Sequence, residues 1–268
     1  MYSFKFHRAS SVADSLASFG QYGDARFLAG GQTLLASLKL RLAQPDGLVD
    51  LGQLAELKGI HVVAGQSITL GAMTTHAEVA GSPEVAAGLG SLSDMASHIG
   101  DPMVRHMGTM GGSVANNDPA ADWPAAVLAL DATVVTAGRR IKADDFFLGM
   151  FSTALEAGEL ITAIEFRVPR RSAYVKFRHP ASRFALVGVF VADFGGDIRV
   201  AVTGAGAGVM RMAAFEDVLQ RQFSADALAH LSVDSAELNT DMHATAEYRA
   251  NLVRVMAMRA VAKASGAT

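Results

Sequence analysis

The sequence predicts an α+β fold with a boundary near residue 170 and a further division near residue 60. Three observations carry this. Short apolar runs bounded by glycine, aspartate or proline recur along the chain and read as strands. Segments with apolar residues three and four apart alternate with them and read as helices. After Val168-Pro169-Arg170-Arg171 the order changes: strands come first and helical patterns fill the rest, as in a separate α+β unit. Half of the 268 residues are hydrophobic and 18% are charged, so a substantial core is available.

The first fifty residues read as strand, helix, strand, loop, helix, strand. Tyr2 to Phe6 alternates apolar and polar. Ser11 followed by Asp14 has the form of a capping box. Val12, Leu16 and Phe19 then share one helical face, which Gly20 ends. Ala25 to Leu28 is a short strand that runs into Ala29-Gly30-Gly31-Gln32-Thr33. Leu34, Leu35, Leu38 and Leu42 line one side of the next helix, and Leu48 to Leu51 is a strand.

Beyond residue 60, Ile60–Val63 and Ile68–Ala72 flank a turn and suggest a hairpin. Residues 74–99 are helical in pieces. An irregular, glycine-rich run follows from Gly100 to Asp122. Asp118-Pro119 has the form of an N-cap with proline at the first helical position. Trp123, Val127 and Leu130 then face a core. Residues 133–137 and 140–142 form a hairpin around Gly138. In the last part, 174–178, 185–192 and 198–203 are strands, with a turn at Phe194-Gly195-Gly196-Asp197, and helical spacing dominates from 211 to the end.

Composition excludes several functions. The net charge is −3, with no Lys/Arg cluster, so no nucleic-acid partner is expected. No run of eighteen apolar residues and no signal-peptide core occurs, which predicts no transmembrane segment and a cytoplasmic location unless an exported partner carries the chain. There is no cysteine, hence no disulfide, thiolate metal site, cysteine nucleophile or all-cysteine iron–sulfur ligation. The eight histidines are scattered without metal-ligand spacing and read as solvated or structural. No nucleophile elbow and no obvious carboxylate pair appears, so no catalytic residue is assigned and any chemistry falls to a cofactor.

Two segments point to that cofactor. A strand that turns through glycines into a helix start presents several backbone N–H groups in one direction. Glycine accepts positive φ there and lets an anion approach the backbone. Residues 29–34 fit this description but neither the P-loop nor the Rossmann pattern, and alone they also read as an ordinary turn. The second segment adds Gly108, Gly111 and Gly112, interleaved with Thr109 and Ser113, then Asn116 and Asn117 as further donors. It also reads as a long loop with Asx turns and a cap. Asp118 fits an N-cap better than a ligand contact. Asp122 could accept hydrogen bonds from ligand hydroxyls or a ring N–H. Lys39 and Arg41 are expected on a solvated face, and alternation alone leaves Lys176 either inward or outward.

Along these segments the chain resembles the FAD-binding medium subunits of the molybdenum hydroxylases, the group of carbon monoxide dehydrogenase and xanthine dehydrogenase. The matching motifs are residues 29–35, 39–42, 48–51, 99–102, 104–105, 108–116, 118–122, 158–164, 176–178, 181–185 and 243–249. They span nearly the whole chain in order. The resemblance implies a two-lobed FAD-binding domain of the vanillyl-alcohol-oxidase/PCMH type over residues 1–170, with lobes over about 1–58 and 59–170. A small αβ domain would follow over 171–268. It implies that Ala29, Gly30, Gly31, Gln32, Thr33, Leu34, Thr109, Gly111, Gly112 and Ser113 hold the FAD diphosphate and its neighbours, with Asn116 and Asp118 beside them. Asp122, Ile161 and Lys176 would lie near the isoalloxazine or ribityl chain, and Ile99 would pack on the cofactor. Met110 replaces the more usual isoleucine or valine, and Gln32-Thr33 departs from the histidine or serine of some relatives. The cysteine-bearing insertion of the benzoyl-CoA reductase branch is missing.

The same resemblance implies a [2Fe–2S] small subunit and a molybdopterin large subunit as partners, in a dimer of heterotrimers. The missing cysteines agree with clusters held elsewhere. NAD, a quinone or oxygen would be the acceptor. Two other readings stand beside it: a self-contained flavin oxidase or dehydrogenase, and an assembly subunit without catalysis. The close approach assumed at the second segment predicts that Gly111→Val weakens FAD retention more than folding.

Overall fold

The computed structural model describes residues 1–266, so the last two residues of the 171–268 segment lie outside the described residues. The chain opens with β1 (Lys5–Arg8), α1 (Val12–Phe19), β2 (Ala25–Leu28), α2 (Leu34–Lys39) and β3 (Gly47–Asp50). The three strands are parallel in the order β1-β3-β2, with β3 central and buried. Ser11 caps α1 by accepting from the Asp14 N–H, but the Asp14 carboxylate turns back to Ser10 instead of closing a capping box on Ser11. Val49, Leu51, Leu54 and Leu57 form a small core with Leu16, Phe19 and Phe27. The helix expected as far as Leu42 stops at Lys39. Arg41 has φ of 59°, the chain reverses there, and Leu42 is 77% exposed.

Next come β4 (Ile60–Val63) and β5 (Ser67–Gly71), then α3 (His76–Gly81), α4 (Pro83–Gly88), α5 (Gly90–Ser97), α6 (Pro102–Met107), α7 (Met110–Asn116) and α8 (Trp123–Ala129). They are followed by β6 (Thr133–Thr136), β7 (Arg140–Lys142), α9 (Ala143–Phe146), β8 (Phe147–Gly149), β9 (Ser152–Thr153) and β10 (Ile161–Arg167). The second sheet is antiparallel, in the order β4-β5-β10-β6-β7. Its central strand, β10, has no counterpart among the sequence-predicted strands. A bulge between Ile161 and Ala163 breaks the two-residue period, so Ile161, Ile164 and Phe166 are buried at uneven spacing.

The chain closes with β11 (Arg171–Arg178), β12 (Ala185–Asp193), β13 (Ile198–Thr203), β14 (Met210–Arg211), α10 (Ala213–Arg221) and α11 (Ala246–Ala264). The third sheet is an antiparallel meander. Its middle strands are buried on both faces. Val187, Val189, Val191, Val200 and Val202 pack on α10 and α11. Phe190, Ala192 and Ala201 join the core that contains Trp123 and the α8 residues. That core therefore runs across residue 170. Helix does not fill the chain from 211 onward. Between α10 and α11, Ser224, Asp234 and Asp241 turn their side chains onto nearby N–H groups, and these local bonds compete with helix.

The third sheet also fixes the segment before α8. Thr203 Oγ1 donates to the carbonyls of Pro119 and Ala121, and the Gly204 N–H donates to Pro119. Arg199 Nε holds the Leu128 carbonyl. No helix among the described residues is long and apolar enough to cross a membrane.

Candidate functional site

The first glycine segment leaves β2 where Leu28 gives its carbonyl to the Leu51 N–H. Gly31 takes φ of 72°, a conformation that costs a side-chain-bearing residue about 1–2 kcal/mol. Thr33 stands at the N-cap of α2 without a side-chain cap bond. The N–H groups of Gly30, Gly31, Gln32, Thr33 and Leu34 meet no acceptor among the described residues. Five consecutive unpaired donors on one turn form a concave site for an anion.

The second segment differs from the irregular run expected of it. Residues 100–122 contain two short helices, each started by a side chain. Asp101 accepts from the Val104 N–H at 2.9 Å with Pro102 at the first turn, and Thr109 accepts from the Gly112 N–H at 3.2 Å. Glycines at 111 and 112 depress helix propensity and hide α7 in the sequence. Its amides are already engaged. Met110 donates to Thr74, Gly111 to Ala72 and Ser113 to Thr109.

The glycines of this segment serve close packing. A Cβ on Gly30 would collide with the Met107 carbonyl oxygen and the Gly108 Cα, so the two segments touch where neither has a side chain. A Cβ on Gly111 would come within 2.6 Å of the Ala72 Cβ and 2.7 Å of its carbonyl oxygen. Gly111→Val is therefore a folding variant first, contrary to the expectation that it acts mainly on FAD. Gly112 faces Ala29 across the seam, where a Cβ would lie 3.4 Å from the Ala29 Cβ and 2.8 Å from the Thr109 Oγ1.

Between the segments lies a cleft of about 580 Å³, within the range of small-molecule sites. Every residue that the resemblance assigns to the cofactor lines it except Lys176. Residues 153–161 and 182–184 close the remaining walls. Asn117, read as a donor beside Asn116, instead turns into the protein. It adopts φ of 45° and its amide holds the carbonyls of Gly149 and Ser152. Asp118 lines the cleft but caps no helix. Its carboxylate forms an Asx turn with the Ala120 N–H, and α8 starts one turn later with Asp122 at the N-cap position and Pro124 following. Thr203 holds the carbonyls of Pro119 and Ala121, which cannot then serve as helix acceptors, and the helix begins only after Asp122.

Asp122 is buried at the cleft wall, and both its oxygens are held from the third sheet. Tyr174 donates its hydroxyl to one at 2.5 Å and Lys176 donates to the other at 2.9 Å. Lys176 thus points inward and stands behind Asp122 instead of in the cleft. Gly188, opposite Lys176 on β12, leaves the space that the Tyr174 hydroxyl fills. Burial raises the Asp122 carboxyl, while the Lys176 charge and the Tyr174 hydrogen bond oppose it. Burial, and then Asp122 itself, pushes the Tyr174 hydroxyl well above its ordinary range. The arrangement presents a carboxylate of fixed orientation to anything in the cleft.

His76, grouped with the other histidines as solvated or structural, is buried and lines the cleft. Its Nδ1 accepts the Trp123 Nε1–H at 3.0 Å. Burial and then the nearby Arg105 charge push its pKa down to about 4, so the ring is neutral at pH 7. The partner lies 47 positions away, and no local pattern marks the pair.

Residues 2–170 match the family of FAD binding domains in molybdopterin dehydrogenase, and residues 172–264 match the CO dehydrogenase flavoprotein C-terminal domain. Among curated relatives, the nicotine 6-hydroxylase medium subunit of Paenarthrobacter nicotinovorans is 35% identical, covering 98% of each chain. The carbon monoxide dehydrogenase medium chain of Hydrogenophaga pseudoflava is also 35% identical, covering 96% of each. Among solved structures, a chain of the reconstituted CO dehydrogenase from Oligotropha carboxidovorans superposes with a TM-score of 0.89 at 34% identity, over 100% of this chain and 99% of that one. The chain belongs to the molybdenum hydroxylase family, as one of its FAD-binding medium subunits.

Proposed function

We propose that this chain is the flavin station of an electron relay, taking electrons from [2Fe–2S] clusters in a small subunit after oxidation of substrate at molybdopterin in a large one. FAD, when bound, supplies the step from one-electron donors to a two-electron acceptor such as NAD, a quinone or oxygen. The single observation behind this reading is the turn at 30–34, whose five residues with unpaired N–H groups line a cleft of about 580 Å³. The residues present fit that cofactor. Gly30, Gly31, Gln32, Thr33 and Leu34 offer their amides to the diphosphate, and Thr109 and Ser113 offer hydroxyls from the opposite side. Leu34, Ile99 and Ile161 provide apolar walls, and Gln32, Asn116 and Asp118 line the polar rim. Asp122 offers a fixed acceptor to the ring or ribityl end, with Lys176 and Tyr174 holding it in place.

The chain's own contribution would be binding, orientation and exclusion of water around the cofactor. The division into an FAD-binding domain over 1–170, with lobes over about 1–58 and 59–170, and a C-terminal domain over 171–268 is part of the same proposal. It is supported by the three larger sheets, which fall within those three segments. A dimer of heterotrimers in the cytoplasm is the expected setting.

Isolation of the native complex tests the proposal. One FAD per chain, together with iron and molybdenum in two co-purifying subunits, is the expected composition. Dye reduction with carbon monoxide, purines, N-heterocycles and aldehydes then identifies the substrate. A monomer that oxidises substrate unaided would replace this reading with a self-contained flavin oxidase.

A further inference from the structure

His76 carries an unused hydrogen-bond donor at the seam of the two glycine segments. Indole N–H can only donate, so the His76 Nδ1 that receives it from Trp123 must present a lone pair. The ring proton is thereby fixed on Nε2. A protonated imidazolium would set two N–H groups against each other across 3.0 Å.

Nε2 has no acceptor among the described residues. The residue is 4% exposed, yet Nε2 is not among the fully enclosed unpaired side-chain atoms of the described residues, which are Asn117 Oδ1 and Arg249 Nε. It therefore keeps a small exposure, and both His76 and Gly108, which Nε2 adjoins, line the cleft. The position is well defined. The backbone N–H of His76 donates to the Gly108 carbonyl at 3.0 Å, and a Cβ on Gly108 would lie 2.8 Å from Nε2. Gly108 is the residue that Gly30 abuts. The donor thus stands beside the start of the 30–34 turn. A buried donor left unmatched is destabilising, and an oxygen in the cleft would remove that penalty.

We propose that His76 is a cofactor-binding residue whose Nε2–H, held in that tautomer by Trp123, donates to a diphosphate oxygen of FAD. This rests on the reading that the cleft holds FAD with its diphosphate at residues 30–34. Trp123 is a positioning residue, acting only through the ring it orients. A neutral donor here complements the backbone amides without placing a permanent charge beside Gly108.

Titration of the full chain, stripped of flavin, separates the possibilities. FAD, ADP and riboflavin are the probes, and each variant is checked by thermal melting. His76→Asn keeps a partner for Trp123 but ends short of Nε2, and should weaken FAD and ADP binding roughly 10-fold or more while leaving riboflavin unchanged. His76→Gln places an amide N–H near Nε2 and should restore binding to within about 3-fold. Nitrogen NMR of the flavin-free chain should show the proton of His76 on Nε2, with that resonance moving when FAD is added. Wild-type affinity in His76→Asn, an equal loss in His76→Gln, or a proton on Nδ1 would overturn the assignment of His76 alone. Failure of the wild-type chain to take up FAD would overturn both this and the reading of the cleft.

Discussion

Residues 29–34 and 108–113 are both rich in glycine, both lead into short helices and both border one cleft, yet their amides face different partners. In the first segment the N–H groups of 30–34 are unpaired, and Gly31 needs its positive φ. In the second, Met110, Gly111, Gly112 and Ser113 all donate within the protein, and Gly111 is small because Ala72 leaves no room. Glycine thus does two jobs. In one segment it shapes an anion site, and in the other it lets a helix press against a strand end. Composition alone does not distinguish these, since both uses require a missing Cβ.

Four substitutions or conditions probe that division, in descending order of effect. Gly111→Val should lower stability by at least about 3 kcal/mol, because the clash is with backbone and Cβ at Ala72, which cannot yield as a flexible side chain would. A melting temperature within two degrees of wild type would show that α7 does not need this contact. Acid should loosen the same region. His76 has a pKa depressed from 6.5 to about 4, so the unfolded chain binds the proton first as pH falls. The stabilisation is complete above pH 6.5 and is lost progressively down to about pH 4, by about 3 kcal/mol in total. Urea unfolding between pH 7 and 4 measures this, with His76→Asn as the control that should flatten that part of the profile.

Gly31→Ala sharpens the contrast from the other side. The new methyl meets mainly the flexible Leu35 side chain, at 2.7 Å, so the cost should stay near the 1–2 kcal/mol of the strained φ. FAD affinity should fall roughly 10-fold as the turn relaxes and its donors diverge. Unchanged affinity measured by flavin fluorescence would separate the turn from the ligand. Smallest is Thr109→Ala, which removes the cap of α7 and should cost about 1 kcal/mol, with Thr109→Ser restoring it.

Much of this architecture was legible in the sequence. β2 and β13 begin and end where their apolar runs do, and the hairpin of β6 and β7 closes at Gly138 as read. The elements that escaped share a cause. β10 is hidden by a bulge that breaks its period, and α7 by glycines that pack well but propagate helix poorly. The site was legible as a list of lining residues, not as a set of roles. Nothing near Asp122 announces Tyr174 and Lys176, which arrive from a strand more than fifty positions away. The same holds for His76, whose tautomer is set by Trp123.

Amide hydrogen exchange of the full chain with and without FAD tests the central claim most directly. Without FAD, the amides of 30–34 should exchange rapidly and those of 110–113 slowly. With FAD, 30–34 should become strongly protected while 110–113 change little. Protection gained at 110–113 and not at 30–34 would contradict the account, and would assign the diphosphate to the second segment.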